Sequence, residues 1–314
     1  QVGGTTDSNR HIEKYNCLVV RGLSDDLIAS GFLGTMARNP ENFKRMLSKG
    51  YRTVDYVTEG IVLGKMLGRK LQTRDEDRSL KNTRLETGRI DKRLIAELGF
   101  GNTRIFQKEV HATVTPALVH ISIDASGSMD GLKWASAMKT AIAIAQAASM
   151  IQSMEVIISV RGTVTDDRRG GESPLMWIIF DSRIQKLSAV RERLYAPQPT
   201  GSTPEGLCFQ AIQKEIQNDA KGKDMYFINV SDGQPGFERY SGMAALKHTA
   251  EQVNEFKKNN INVLSFFVSD NDYESVYVRS AFNTMYGKDS QYIDTNNLSQ
   301  LAKSLNNLFV RKNS

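Results

Sequence analysis

From residue 117 onward, short apolar runs alternate with longer segments of helical spacing, and this alternation constrains the fold more than any other feature of the 314-residue sequence. We predict strands over 118–123, 155–160, 176–180, 225–230 and 263–268, and helices over 134–150, 204–217, 243–259, 273–283 and 298–309. The runs 226–230 and 263–268 are apolar at nearly every position, as in parallel strands covered on both faces. The pattern predicts an α/β fold with a doubly wound, mainly parallel sheet flanked by helices.

The sequence before residue 117 has a different character, and the length of the chain allows a second, smaller unit. We predict a flexible segment over 1–16, a helical region with a charged arm over 17–112, and the α/β domain over 113–314. The charged arm is placed at 69–93, where basic and acidic residues are mixed.

Three helices are predicted in the N-terminal region. Ser24 caps the first, which runs to about residue 30, and Asn39 followed by Pro40 begins the second, over 41–49. The third covers 54–70, where glycines recur every four residues at 60, 64 and 68. Such a spacing of glycines allows close packing against another helix.

Composition narrows the class of protein. Lys and Arg number 41 against 35 Asp and Glu, an imbalance too small to establish a nucleic-acid or an acidic partner. No apolar run is long enough to span a bilayer, and no N-terminal segment of the sequence has a basic end followed by an apolar run, so we predict a cytoplasmic protein with no membrane partner. Cys17 and Cys208 are remote in sequence, with no second thiol or paired His near either, and we predict that both are reduced.

Oxygen-bearing side chains follow three of the predicted elements. Asp124-Ala-Ser126-Gly-Ser128 comes directly after the first strand, Thr203 precedes a helix, and Asp232 follows the strand 225–230. Ligands of doubly wound sheets bind at the carboxyl ends of the strands, where these loops meet. Carboxylate and hydroxyl oxygens without His or Cys favour a hard divalent cation, so we predict Mg²⁺, with Mn²⁺ or Ca²⁺ as alternatives.

The same residues carry a family resemblance. Asp124, Ser126 and Ser128 resemble the D-x-S-x-S loop of the von Willebrand factor A domain, a Rossmann-like fold with a metal-ion-dependent adhesion site. Thr203 is similar to the Thr of that site's second loop, and Asp232 to the Asp of its third loop. The resemblance implies that the hydroxyls ligate the ion, that the Asp residues often act through waters, and that an acidic residue of a partner protein fills the remaining position.

From about Val62 onward the chain also resembles the CobT subunit of aerobic cobaltochelatase and its relatives, some of them encoded by phages. The resemblance is carried by residues 68–72, 86–93, 106–108 and 124–129 and by Ile228-Asn-Val-Ser-Asp232-Gly-Gln-Pro235. It implies a subunit without ATPase activity that binds a hexameric AAA+ ATPase of the CobS or MoxR type. ATP hydrolysis would then be coupled to remodelling of a third component, or to cobalt or magnesium chelation by it. The long acidic segment typical of such subunits is missing here.

The sequence supports two other functions, RNA binding and intrinsic catalysis, less well. RNA binding, as in Ro proteins with this domain, would use basic residues over 65–93, but acidic residues in the same stretch cancel much of their charge, so nucleic acid is the weaker partner. Intrinsic catalysis is not expected, because the sequence has no G-x-x-x-x-G-K-[ST] phosphate loop and no general base beside the three loops. We interpret His120 as a packed or hydrogen-bonded core residue.

Overall fold

The computed structural model describes residues 15–49, 54–76, 79–111, 116–151, 153–166, 171–269, 276–287 and 291–294. The strands within these ranges are β1 (Leu18–Arg21), β2 (Ser79–Leu85), β3 (Arg89–Ile90), β4 (Phe106–His111), β5 (Ala117–Asp124), β6 (Met154–Asp166), β7 (Gly171–Asp181), β8 (Asp224–Ser231), β9 (Asn262–Ser269) and β10 (Gln291–Asp294). The α-helices are α1 (Asp25–Ala29), α2 (Pro40–Ser48), α3 (Tyr56–Glu76), α4 (Leu132–Ala148), α5 (Leu187–Val190), α6 (Glu205–Asp219), α7 (Gly242–Lys258) and α8 (Val276–Tyr286).

The large sheet of the described chain has the strand order β1-β7-β6-β5-β8-β9-β10. Every neighbouring pair is parallel except β6 and β7, which are antiparallel. The chain passes from β5 to β6 on one side and later reaches β8 on the other, so a topological switch point lies between β5 and β8. The predicted α/β class and the mainly parallel sheet are confirmed.

Two hydrophobic clusters cover the faces of the sheet. Val119, Ile121 and Ile123 of β5 pack with α4 in one cluster, and Leu118 packs with α6 and α7 in the other. Because side chains alternate along a strand, His120, Ser122 and Asp124 lie on the same face as Leu118. These three polar side chains are buried, so a polar stripe runs along β5 beneath its carboxyl end.

The predicted helices of the N-terminal region are confirmed where the structure describes them. Ser24 caps α1 by accepting a hydrogen bond from the backbone of Leu27, and Asn39 caps α2 by accepting one from the backbone of Glu41. Helix α3 extends beyond the predicted end at residue 70, reaching Glu76.

Four stretches of 17–112 are not helical, which corrects the prediction of a helical region with a charged helix or arm. β1 pairs with β7 and becomes an edge strand of the large sheet. β2 and β3 both pair with β4 in a separate three-stranded antiparallel sheet. The division of the chain at residue 112 stays a prediction.

The glycines of α3 allow it to lie against α4, as predicted. A Cβ atom added at Gly60 would lie 2.8 Å from the carbonyl oxygen of Lys139, and one at Gly64 would lie 2.5 Å from that of Ala143. At Gly68 an added Cβ would lie 2.5 Å from the sulfur of Met150. Side chains at Gly60 and Gly64 would therefore force the two helices apart, because the atoms they meet are backbone oxygens, whereas the flexible Met150 side chain could move away from a side chain at Gly68.

Several predictions lie outside the described residues: the last helix over 298–309, the start of the helix over 273–283, and all but the last two residues of the flexible segment 1–16. Among the helices of the described ranges, none is both long enough and apolar enough to cross a membrane.

Candidate metal centre

The predicted site residues lie on three loops at the switch point. The first loop (124–131) follows β5, the second (198–204) precedes α6, and the third (231–236) follows β8. Asp124, Ser126, Thr203 and Asp232 are buried, whereas Ser128 is exposed. The cluster therefore opens to solvent at Ser128.

Asp124 forms the floor of the cluster and is fully buried. One carboxylate oxygen accepts a hydrogen bond of 2.9 Å from the backbone N–H of Ser126, and the other accepts one of 3.0 Å from the hydroxyl of Ser231. Burial raises the pKa of Asp124 to about 6, and the carboxylates of Glu205 and Asp232 act in the same direction against the Arg161 guanidinium. A cation bound beside Asp124 would favour the ionised form of its carboxyl group.

A chain of hydrogen bonds joins the first loop to the third. The hydroxyl oxygens of Ser126 and Ser128 are 3.1 Å apart, and the Ser128 hydroxyl donates to Asp232 Oδ1 at 2.8 Å. Asp124 joins this chain through the hydrogen bond that it accepts from the Ser126 backbone. The structure therefore brings together four of the five predicted ligands: Asp124, Ser126, Ser128 and Asp232.

The second loop is held against the first by backbone hydrogen bonds. The Gly127 N–H donates to the carbonyl of Gly201 at 3.2 Å, and the Thr200 N–H donates to that of Ala125 at 2.6 Å. Gly201 has a φ of +75°, and a Cβ there would collide with the hydroxyl of Thr163, so this turn needs glycine. Thr203 pairs with Gly236 of the third loop through two 3.0 Å backbone bonds, so its loop links both of the others.

Lys133, in the first turn of α4, reaches into the cluster. Its ammonium donates to Asp232 Oδ2 at 2.7 Å and to the carbonyl oxygen of Ser128 at 3.3 Å. The Lys133 side chain is 15% exposed, so the ion pair is well shielded from solvent. Lys133 therefore neutralises one of the two carboxylates of the cluster.

A buried ion pair lies beneath the three loops. Arg161 of β6 and Glu205, the first residue of α6, are paired and fully buried. The Arg161 guanidinium also donates to the Ser122 carbonyl on β5 at 3.0 Å and to the Val230 carbonyl on β8 at 3.3 Å. The Arg161 side chain thus connects β5 and β8, which precede the first and third loops, to α6, which follows the second loop.

The donor atoms suit a small, hard cation. Mg²⁺ takes oxygen ligands at 2.0–2.1 Å, so neighbouring ligands of its octahedron are about 2.9 Å apart. The Ser126 to Ser128 and Ser128 to Asp232 distances of 3.1 and 2.8 Å match that spacing. No group of three or more His, Cys, Asp or Glu side chains is placed to hold a metal among the described residues, so an ion at this cluster would need hydroxyl ligands as well as carboxylates.

Sequence reasoning missed Lys133, Arg161, Glu205 and Ser231. Two of them carried a usable signal: Lys133 stands in the first turn of a helix, where the macrodipole disfavours a cation, and Arg161 is a charged residue in the middle of a strand, directly after the largely apolar stretch 156–160. His120 is buried as predicted, and its Nε2 lies 2.8 Å from the Ser159 hydroxyl.

No protein-family model matches the sequence, and a search of curated proteins finds no match. Among solved structures, the pilus adhesin SpaC from Lactobacillus rhamnosus GG, in its open conformation, is similar with a TM-score of 0.46 and 14% identity over 63% of this chain. This chain spans 31% of the SpaC chain. The vWF domain of the type V pili tip protein Mfa5 from Porphyromonas gingivalis is similar with a TM-score of 0.44 and 10% identity, over 62% of this chain and 96% of that domain.

Proposed function

We propose that this chain holds Mg²⁺ through Asp124, Ser126, Ser128, Thr203 and Asp232 and thereby binds a carboxylate of a partner protein. The observation that carries the proposal is the continuous hydrogen-bonded series from Ser126 through Ser128 to Asp232, above the buried Asp124. Mn²⁺ and Ca²⁺ use the same oxygen donors and are the alternative ions.

The balance of charge favours a ligand from outside the chain. The cluster has two carboxylates, and Lys133 is paired with one of them. A divalent ion in such a site would keep much of its positive charge and, when bound, would supply a position that attracts an anionic oxygen. Exposure of Ser128 leaves room for that oxygen to approach from solvent.

For the partner, we propose an AAA+ ATPase of the CobS or MoxR type, with an acidic residue that completes the metal site. Support comes from the CobT-like residues 68–72, 86–93 and 228–235 together with the metal loops. In this proposal the chain acts as an adaptor, and the ATPase supplies the energy for work on a third component. The chain itself binds and positions without catalysing a reaction.

A pull-down tests this function. Tagged wild-type chain is incubated with native lysate in Mg²⁺ and in EDTA, and the retained proteins are quantified by mass spectrometry. We expect an AAA+ ATPase to be retained in Mg²⁺ and lost in EDTA, because the partner carboxylate needs the ion.

Two variants sharpen the pull-down. Ser128→Ala removes one exposed hydroxyl of the cluster and should lose the ATPase even in Mg²⁺, whereas Asp130→Ala, at an exposed position of the same loop, should retain it. Equal retention of the ATPase in Mg²⁺ and EDTA would contradict the proposal. Retention of RNA that nuclease treatment removes, without an ATPase, would favour the Ro-type function instead.

A further inference from the structure

The two cysteines of the chain are neighbours in space although 191 positions separate them in sequence. The Sγ atoms of Cys17 and Cys208 lie 3.7 Å apart. This corrects the prediction that neither thiol has a second thiol near it. Both are free thiols in this structure, with Cys208 buried and Cys17 partly accessible.

Backbone contacts on both sides fix this pair in place. Cys17 immediately precedes β1, whose Leu18 is aligned with Leu175 of β7. The Cys208 thiol on α6 donates to the carbonyl oxygen of that same Leu175 at 3.5 Å. The two sulfurs are therefore brought to one point by the β1–β7 ladder and by the packing of α6 over it.

A second contact holds β1 alongside α6. Arg21, four residues after Cys17, forms an ion pair with Glu215, which lies two turns after Cys208 on the same face of the helix. The segment from Cys17 to Arg21 thus contacts α6 at both of its ends, and these two contacts keep the thiols close together.

We propose that Cys17 and Cys208 form a modification site at which a low-molecular-weight disulfide, such as oxidised glutathione, converts the two thiols into an intramolecular disulfide. The site is separate from the metal loops and does not depend on the proposed metal function. The proposal rests on the juxtaposition of the two sulfurs and on the two contacts that hold them together.

The two steps of the exchange follow from the accessibility of each thiol. Cys17, as its thiolate, attacks one sulfur of the small disulfide and releases one small thiol, leaving a mixed disulfide on Cys17. Cys208 then gives its proton to the small thiolate released in the first step and attacks the Cys17 sulfur, which releases the second small molecule as a thiolate that takes a proton from solvent. Two protein thiols are oxidised and one small disulfide is reduced to two thiols.

Burial keeps Cys208 out of the first step. Burial raises the pKa of its thiol, so Cys208 stays protonated and inert toward a reagent in solution. Once Cys17 carries the mixed disulfide, the Cys208 thiol has an electrophilic sulfur beside it. The order of reaction is therefore set by burial.

The cross-link would connect the edge strand to the helix that follows the second metal loop. Cys208 lies five residues after Thr203, and the bond would close a loop across most of the described chain. Constraint of so long a loop reduces the entropy of the unfolded chain. We expect the oxidised protein to melt about 5 °C or more above the reduced protein.

Peptide mapping tests the site in the full chain. Reduced protein is incubated with defined ratios of oxidised to reduced glutathione, blocked with N-ethylmaleimide and digested without reductant. We expect a cross-linked pair of peptides containing Cys17 and Cys208 in a monomeric protein, reversed by excess reduced glutathione.

Single variants separate the two steps. Cys208→Ser should stop the reaction at the mixed disulfide on Cys17, whereas Cys17→Ser should leave Cys208 unreacted in the folded protein. Thermal melting of oxidised and reduced wild type gives a readout that needs no variant. A mixed disulfide on wild-type Cys17 without the cross-link, dimers linked between chains, or no reaction at either thiol would each overturn the proposal.

Discussion

At the scale of single residues, Lys133 sets the charge of the candidate site. Its ammonium lies 2.7 Å from Asp232 Oδ2, so it stands beside the oxygens that would hold an ion. A divalent cation would be repelled by this ammonium or would have to displace it. Lys133 would therefore weaken the binding of an ion here and make its release easier.

Removal of this charge should strengthen metal binding. We expect Lys133→Gln to bind Mg²⁺ about threefold to tenfold more tightly than wild type, because one unit of repulsion is lost in a partly screened site. Calorimetric titration measures the change. Lys139→Gln is the matched control, since Lys139 lies on the same helix as Lys133 but pairs with Glu59 of α3. Unchanged or weaker affinity in Lys133→Gln would show that the ammonium does not compete with the ion.

A second residue, His120, makes stability depend on pH. Burial lowers the pKa of His120 to about 3, so the imidazole stays neutral in the folded protein. The unfolded chain binds a proton at this position below about pH 6.5, so the stabilising contribution is present above that pH and is lost as pH falls toward 3.

The size of this change in the free energy of unfolding follows from the difference between the pKa of His120 in the folded and unfolded chains. Between pH 7 and pH 5, wild type should lose about 2 kcal/mol more free energy of unfolding than His120→Gln, which has no titrating group there. Urea unfolding in EDTA at the two pH values measures both proteins. The opposite contribution of Asp124, whose raised pKa stabilises the folded state as pH falls, is common to both and cancels in the difference. Equal losses in the two proteins would refute this role of His120.

The site residues divide into those that sequence could predict and those that it could not. Asp124, Ser126, Ser128 and Asp232 stand in short loops next to strands, so their nearness was expected from the order of elements together with the resemblance to the von Willebrand A metal loops. The nearness of Cys17 to Cys208 depends on a strand pairing and a helix packing that no local pattern encodes.

At the scale of elements, the packing of α3 on α4 depends on glycine. Gly64 lies so close to α4 that an added Cβ would be 2.5 Å from the carbonyl oxygen of Ala143. Alanine normally favours a helix over glycine by about 1 kcal/mol, so a loss of stability here would report packing and not propensity.

We therefore expect Gly64→Ala to destabilise the protein by about 2 kcal/mol, since the two helices must separate to admit the methyl group. Chemical denaturation monitored by circular dichroism gives the value. Gly99→Ala, where an added Cβ meets open space, should have little effect and serves as the control. If Gly64→Ala were neutral or stabilising, the close contact between α3 and α4 would be wrong.

Elements were predictable where their own sequence carried the signal. β8 and β9 are apolar at most of their inner positions, as expected where both faces of the sheet are covered, and this pattern identified them. β2 contains Lys, Asn, Thr and Arg and has no apolar alternation, so its sequence favours a charged helix or arm and gives no signal for a strand. β1 has four residues, and each of them pairs with a residue of β7 that lies 157 positions further along the chain, so its pairing has no local signal.

At the scale of the whole molecule, the topology explains why distant loops form one cluster. β5 and β8 are adjacent and parallel, so the first and third loops leave the sheet at the same end of these strands. The second loop, which precedes α6, lies at this end too. The buried pair of Arg161 and Glu205 connects these elements below the cluster. The three loops are thus held by packed elements, an arrangement that would suit the proposed binding of an ion and a partner.

Binding of Mg²⁺ to the purified chain tests this arrangement most directly. Isothermal titration calorimetry of wild type, Asp232→Asn and the control Asp130→Asn compares a proposed ligand with an exposed carboxylate of the same cluster of loops. We predict one Mg²⁺ per chain in wild type and in Asp130→Asn, and at least about tenfold weaker binding in Asp232→Asn. Absence of Mg²⁺ binding in wild type, or equal affinity in all three proteins, would contradict the proposed metal site.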